Sequence, residues 1–174
     1  IKTLVDGYVD ACNANGYDGI DWDFEHLSPD VQDTYTGFLE LASQKLHAAG
    51  KKLSHCVGFY PALYQDETTK MFHDPEVLAR TCDLVRVMCY DMYTSDYSWT
   101  KEAMSFWIKH IPKDKLVMAL PAYANDYAVT GHTKGRQIYQ SVPDSVSGVL
   151  PSPTWLCYEK VNIYLYDATD GNRH

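Results

Sequence analysis

The sequence lacks several patterns that would assign it to common functional classes. No apolar run approaches the length of a membrane span, and no Lys/Arg cluster offsets the net charge of -8 on the 174 residues. An acidic chain repels phosphate groups, which argues against nucleic-acid binding. No Gly-rich phosphate loop follows any predicted strand, so nucleotide-binding folds lose support. Residues 1–6 do not resemble a secretion signal, so any signal is expected to lie upstream, to have been removed or to be absent.

Cysteine is sparse, with five residues and no Cys-x-x-Cys pair, so the spacing of a zinc site is absent and no metal or other cofactor is expected. Cys56 and Cys89 lie in apolar, strand-like runs and are predicted to be buried thiols. The aromatic content is high instead, with 14 Tyr and 4 Trp. Such rings pack cores, and those beside turn residues also suit a groove that holds sugar.

Helix and strand patterns alternate along the first 121 residues. Strands are predicted over 18–25, 53–59, 84–90 and 115–121, and helices over 1–15, 28–49, 74–79 and around 101–110. This alternation indicates a parallel sheet with right-handed crossovers, which fits either a doubly wound open sheet or part of an eight-stranded barrel. Residues 125–174 are richer in turn residues and are predicted to be irregular, with one further strand at 161–166.

The most informative segment is the acidic strand pattern at residues 18–25. Asp21, Asp23 and Glu25 are spaced by two residues, so a strand places all three on one face and leaves apolar side chains on the other. Three carboxylates on an inner face are costly unless they bond to one another or face water and substrate. The carboxyl ends of barrel strands satisfy that condition, and barrel enzymes do their chemistry there.

Two other interpretations would each explain part of this segment. A solvated edge strand would explain scattered acids, but Trp22 and Phe24 require their face to be buried. A calcium loop would explain Asp-x-Asp-x-Glu, but His26 stands where the loop glycine belongs, and bulky alternating residues favour a strand. The pattern therefore favours a catalytic role.

The segment Asp18-Gly19-Ile20-Asp21-Trp22-Asp23-Phe24-Glu25 resembles the signature of glycoside hydrolase family 18, Asp-Gly-x-Asp-x-Asp-x-Glu, at every fixed position. Two later segments agree. Met88-Cys89-Tyr90-Asp91 resembles the family's Met-x-Tyr-Asp strand end, and residues 119–124 resemble its Gly-x-Pro-x-Tyr-Gly strand with Ala in place of both glycines. The resemblance covers most of residues 1–124 and fades after Asn125.

The resemblance implies an α/β fold of the chitinase type, a (β/α)8 TIM barrel, of which this chain would hold about strands four to seven with their helices. Residues 1–174 would then form a partial catalytic barrel domain, with residues 125–174 as an irregular segment after the strand at 115–121. The implied partners are chitin or N-acetylglucosamine oligosaccharides, with no nucleic acid and no membrane, and either the missing barrel segment or a second copy of the chain. A secreted or extracellular location follows from the resemblance alone.

The resemblance also implies a retaining mechanism in which the substrate's acetamido group is the nucleophile, a known departure from the scheme with two carboxylates. Glu25 would protonate the glycosidic oxygen, Asp23 would bond the acetamido N–H, and Asp21 would hold Asp23 and accept its proton. Tyr90 would donate to the acetamido oxygen. Met88, Asp91, Tyr123 and Trp99 would bind substrate, while Asp18 and Gly19 would be structural.

Several of these assignments have plain structural alternatives. Met88 could equally be a packed core residue, and Tyr123 is more often a core residue than a ligand at such a site. Tyr90 could also be packed, but the following Asp91 favours a pocket, and Trp99 could simply cap or pack against its helix. The function also remained open between a chitinase, an endo-β-N-acetylglucosaminidase acting on N-glycans, and a non-catalytic chitin-binding lectin on the same fold. Loss of the acid glutamate is the usual mark of such lectins, so Glu25 favours an enzyme.

Overall fold

The computed structural model describes residues 1–25, 27–58, 72–90, 97–121, 123–127, 134–138, 154–156 and 161–163. The chain divides into two compact units. The first contains Ile1–Cys89 and Thr100–Ala119, and the second contains Tyr90–Trp99 and Leu120–His174. No helix in these described ranges is long and apolar enough to cross a membrane.

The first unit is built on a parallel sheet of four strands, as the alternating pattern predicted. The strands lie in chain order and pair only in parallel. They are β1 (Gly19–Trp22), β2 (Lys52–Val57), β3 (Leu84–Met88) and β4 (Leu116–Ala119). The carboxyl ends of all four strands therefore meet at one edge of the sheet.

In the part of the chain that the structure describes, four α-helices connect or flank the strands: α1 (Lys2–Asn15), α2 (Gln32–Ala48), α3 (Pro75–Thr81) and α4 (Tyr97–Trp107). Local sequence explains where they begin and end. The α1 helix ends at Gly16, which takes a left-handed conformation with φ of 69°. Ser28 caps a short 3-10 turn over Pro29–Val31 that leads into α2, and the Asp74 side chain accepts the backbone N–H of Glu76 at the start of α3.

The two faces of the sheet differ sharply in burial. The outer face packs against the helices and forms the core with buried residues from each of the first three strands: Trp22, Leu53, His55, Val57, Val85 and Val87. The ring of Trp22 stacks on that of Phe38 in α2, with centroids 4.6 Å apart and planes 7° apart. The inner face carries Asp21, Cys56, Arg86 and Met88, which are all partly or largely exposed.

The strands are shorter than the sequence patterns predicted. The predicted strand over 18–25 is a strand only over Gly19–Trp22, and the predicted strands over 53–59, 84–90 and 115–121 end at Val57, Met88 and Ala119. The alternation of apolar and polar residues shows only which side of the chain is apolar. The bounds of a strand depend instead on backbone pairing, which can end before the alternation does. The pairing of β1 with β2 ends at Trp22 opposite His55, so Asp23 and Glu25 follow the strand rather than belonging to it.

The second unit contains short antiparallel pairs where the sequence predicted an irregular segment. Strand β5 (Tyr123–Tyr127) pairs with β6 (Lys134–Ile138), and β7 (Thr154–Leu156) pairs with β8 (Val161–Ile163). Only β8 falls within a predicted strand. Segments of three to five residues are too short to show a hydrophobic period. The turn-rich composition of residues 125–174 therefore led to the prediction of an irregular segment.

Candidate active site

Asp21 lies on the inner face of β1 and is bonded at both carboxylate oxygens. The Ser54 hydroxyl in β2 donates to Oδ1, and Arg86 Nη1 in β3 donates to Oδ2 and forms an ion pair. The parallel register explains this grouping, because Asp21 lies beside Ser54, and Arg86 is on the same face of the next strand. Cys56 Sγ also approaches Oδ2, at 3.7 Å. Three neighbouring strands thus contribute to one polar cluster, which we call the Asp21 cluster: Asp21, Ser54, Cys56 and Arg86.

Asp23 and Glu25 lie directly beyond the carboxyl end of β1, and both are exposed. The residue between them packs toward the helices. Phe24 makes edge-to-face contacts with Trp22 and with Tyr35 of α2, at centroid distances of 5.8 Å in each case. Phe24 is thus held on the helix side of the sheet after the backbone pairing has stopped. The structure places Asp21 near the end of β1 and the exposed Asp23 and Glu25 directly after it.

The two residues predicted to be structural lie at the opposite end of β1. The backbone carbonyl of Asp18 accepts the N–H of Lys52 at 2.8 Å. A side chain at position 19 would overlap the backbone of Lys52, so the close approach of β1 and β2 requires glycine there. Gly19 thus permits the register that sets Asp21 beside Ser54.

The prediction that Cys56 is a buried thiol is wrong. It is only partly buried, because strand parity places it on the inner face with Asp21, whereas Cys89 lies on the outer face and is buried as predicted. Burial, followed by the negative charges of Asp21 and Asp23, raises the pKa of the Cys56 thiol to about 11. The thiol is therefore protonated at neutral pH and is a poor nucleophile.

The remaining predicted site residues are described separately in each unit. In the first unit, Met88 ends β3 and is half-buried on the inner face. In the second, Tyr90 is half-buried, Trp99 lies in the first turn of α4 and Tyr123 begins β5. The side chain of Tyr123 and the whole of Asp91 lie outside the described residues, so their predicted roles stay predictions.

Sequence reasoning missed Ser54 and Arg86. The sequence did contain a signal for Arg86. Strands buried in a parallel sheet are nearly continuous apolar runs, and Arg86 is a charged residue within the otherwise apolar strand Leu84–Met88. A charged residue in such a strand needs a partner, and parity pointed to the face that carries Asp21. Within the described residues, no group of three or more His, Cys, Asp or Glu side chains could hold a metal ion.

Comparisons with known proteins agree with this geometry. The sequence profile of the glycosyl hydrolases family 18 matches residues 2–172. The chain is 26% identical over 136 residues to the uncharacterized glycosylase YvbX of Bacillus subtilis (strain 168), covering 74% of this chain and 40% of YvbX.

Two solved structures share the fold. The spore cortex-lytic enzyme SleL of Bacillus megaterium QM B1551 superposes with a TM-score of 0.83 at 18% identity, over 99% of this chain and 42% of SleL. A chitinase from Chromobacterium violaceum ATCC 12472 gives 0.81 at 20% identity, over 97% of this chain and 56% of the chitinase. The chain spans less than two thirds of each of these three proteins. Its four parallel strands correspond to part of a (β/α)8 barrel of the chitinase type, and the chain belongs to glycosyl hydrolase family 18.

Proposed function

We propose that this chain contributes the acidic centre of a glycoside hydrolase that cleaves β-1,4-linked N-acetylglucosamine polymers such as chitin. The observation that supports the proposal is the arrangement at the end of β1. Asp23 and Glu25 are exposed at the carboxyl edge of the parallel sheet, and Asp21 is bonded at both oxygens just before them. Barrel enzymes bind substrate at this edge.

In the proposed reaction, Glu25 donates a proton to the glycosidic oxygen as the bond to the leaving sugar breaks. The acetamido carbonyl oxygen of the substrate attacks the anomeric carbon and forms an oxazolinium ion. Asp23 accepts a hydrogen bond from the acetamido N–H and offsets the developing positive charge. Water then opens the ring, giving up a proton to Glu25, so the anomeric configuration is retained and the acid is regenerated.

A second candidate substrate is supported by the similarity to SleL, which is named a spore cortex-lytic enzyme. Spore cortex material would then be cleaved with Glu25 as the acid. An endo-β-N-acetylglucosaminidase acting on N-glycans would use this chemistry too, and a chitin-binding lectin would bind the sugar without hydrolysis. The presence of Glu25 favours hydrolysis over binding alone.

Substrate choice is tested by incubating the full-length protein with chito-oligomers, cello-oligomers and isolated cortex fragments. We expect cello-oligomers to be inert, because a glucoside has no acetamido group to act as nucleophile. A thiazoline analogue of the oxazolinium ion should inhibit hydrolysis of whichever acetamido substrate is cut. Equal rates on cello- and chito-oligomers would rule out substrate assistance.

The role of the acid is tested by Glu25→Gln. The amide keeps the size and hydrogen bonding of the side chain but cannot deliver a proton, so turnover should fall at least about a hundredfold while oligosaccharide binding persists. Asp10→Asn is the matched control, because Asp10 is an exposed carboxylate in α1 outside the acidic segment. A Glu25→Gln enzyme with near-parent turnover would disprove the assignment.

A further inference from the structure

Phe24 lies between the two exposed acids that follow β1, and contacts between aromatic rings hold it there. Its ring meets those of Trp22, Tyr35 and Phe38 with centroids 5.8, 5.8 and 6.2 Å apart and planes at 72°, 79° and 75°. Edge-to-face contacts of this kind are directional, so the orientation of Phe24 depends on that of its neighbours. Trp22 belongs to β1 and Phe38 stacks on it, whereas Tyr35 approaches from the start of α2.

Tyr35 is fixed in turn by a buried hydrogen bond to β2. Its hydroxyl oxygen lies 2.5 Å from Nε2 of His55, and the two residues are only 5% and 0% exposed. His55 stands opposite Trp22 in the register of β1 and β2. The bond therefore ties the start of α2 to the strand that pairs with the acidic strand.

The surroundings of His55 determine the direction of this bond. Nδ1 of His55 lies 2.5 Å from the backbone carbonyl oxygen of Cys56, which can only accept, so Nδ1 carries the hydrogen. Burial lowers the pKa of His55 and raises the pKa of Tyr35, so both side chains are neutral at neutral pH. Nε2 then has no hydrogen and accepts the O–H of Tyr35. A buried hydroxyl with a matched acceptor holds its ring in one orientation.

We propose that Tyr35 is a positioning residue for the proposed reaction: anchored by His55, its ring holds Phe24 and thereby the segment that carries Glu25. This inference rests on the proposed function, because Glu25 can deliver its proton efficiently only from a fixed place beside the glycosidic oxygen. Backbone pairing does not supply that support, since the pairing of β1 with β2 ends before this segment. Tyr35 is buried on the helix side of the sheet, so it acts through Phe24 and not on the substrate.

The test compares Tyr35→Phe with the parent in the full-length protein, with chito-oligomers as substrate. The substitution keeps the ring and removes the O–H, so the ring can tilt and Phe24 can follow it. We expect kcat to fall roughly tenfold with KM little changed, because a small displacement of the acid weakens proton delivery in the transition state more than it weakens sugar binding.

Ser43→Ala is the matched control, because it also removes a buried, hydrogen-bonded hydroxyl from α2. Ser43 Oγ donates to the backbone carbonyl oxygen of Thr81 at 2.8 Å, and Ser43 lies about 12 Å further along the helix than Tyr35. This variant should lose stability while its kcat stays unchanged. Equal kcat values in Tyr35→Phe and Ser43→Ala at a temperature where both are folded, or a rise in KM alone in Tyr35→Phe, would overturn the proposal.

A double variant carries the test if Tyr35→Phe fails to fold. Tyr35→Phe/His55→Leu removes donor and acceptor together, so it leaves no Nε2 without its donor and should be more stable than Tyr35→Phe alone. It still lacks the anchor, so its kcat should stay low although its melting temperature recovers. His55→Gln offers the Tyr35 hydroxyl another acceptor and should retain a higher kcat. A double variant with the kcat of the parent, or with that of His55→Gln, would overturn the proposal.

Backbone hydrogen exchange separates this proposal from the proposed function, because it needs no substrate. The amides of residues 23–25 should exchange faster in Tyr35→Phe than in Ser43→Ala, since looser packing on Phe24 lets this segment open more often. If the parent cuts no acetamido sugar but the exchange rates differ in this way, only the proposed function fails. If the parent is active and the exchange rates coincide, only the role of Tyr35 fails.

Discussion

Leu53 and Asp83 exchange two hydrogen bonds at the start of β2 and β3. The backbone N–H of Asp83 donates to the Leu53 carbonyl at 2.7 Å, and the N–H of Leu53 donates to Asp83 Oδ2 at 2.8 Å. His47 of α2 bonds the same carboxylate oxygen at 2.9 Å. Burial alone would raise the pKa of the Asp83 carboxyl, but the bonds from Leu53 and His47 outweigh it and lower the pKa.

Asp83→Asn should therefore lower the free energy of unfolding at neutral pH by about 1 kcal/mol, the usual worth of one weakened hydrogen bond. Because the pKa of Asp83 is lowered in the folded protein, its contribution is complete above the ordinary value of about 3.9 and is lost as the pH falls through the folded-state pKa. Urea unfolding at pH 7 and at pH 3 measures this, with Asp10→Asn as the control. A difference between parent and Asp83→Asn that is equal at both pH values would contradict the prediction.

Gly19→Ala should destabilise the protein by roughly 1–3 kcal/mol, because the new methyl group would overlap the backbone of Lys52 and push β1 away from β2. Activity should fall as well, since Asp21 follows two residues later. Gly7→Ala is a matched control in α1, where an added Cβ meets nothing within 4 Å. That change should stabilise the helix by about 0.4–1 kcal/mol. Thermal melts of both variants check the pair, and equal shifts of the same sign would show that the strand contact is unimportant.

The parallel sheet could be predicted from periodicity, because helix and strand patterns alternate along the first 121 residues. The grouping of Asp21, Asp23 and Glu25 on one face also came from periodicity and stays a prediction, because the backbone pairing of β1 ends at Trp22. The Asp21 cluster was harder to foresee. Its members come from β1, β2 and β3, and only the register between strands shows that Ser54 and Arg86 lie beside Asp21.

The short pairs of the second unit were hidden for a different reason. Strands of three to five residues are too short to show an alternating pattern, and a turn-rich composition does not reveal which segments pair. The end of β1 was also misplaced, because Phe24 continues the apolar alternation by packing on Tyr35 after the backbone pairing has ended.

The segment comprising residues 1–174, expressed alone, should associate in solution. Among the described strands of the first unit, β1 pairs only with β2 and β4 only with β3, so each presents one edge of backbone donors and acceptors. Met118 in β4 and Leu120 beyond it are also 44% and 60% exposed. Exposed edges beside apolar side chains promote association. Light scattering measures the outcome, and a monodisperse, cooperatively melting monomer that hydrolyses chito-oligomers would show that these edges are covered.

His73→Phe should make the stability of the first unit less sensitive to mild acid. His73 is 1% exposed, and its ring lies parallel to that of Trp107 with centroids 6.0 Å apart and 5.6 Å from that of His55. Burial, followed by the charge of His55, lowers the pKa of His73 to about 3. The unfolded chain binds a proton below about pH 6.5, whereas the folded protein resists it, so stability is complete above that pH and declines as the pH falls toward 3.

The decline due to this one histidine can reach about 1.4 kcal/mol per pH unit, and phenylalanine removes it while keeping a ring of similar size. Between pH 7 and pH 5 we therefore expect the melting temperature of the parent to fall further than that of His73→Phe. The melting temperature of the variant should still fall somewhat because of His55, since burial also lowers the pKa of His55. His110→Gln is the control, because His110 is a half-exposed histidine beside Glu76 and lacks this burial. Parallel melting curves for the parent and His73→Phe across this range would show that the buried ring already accepts a proton in the folded protein.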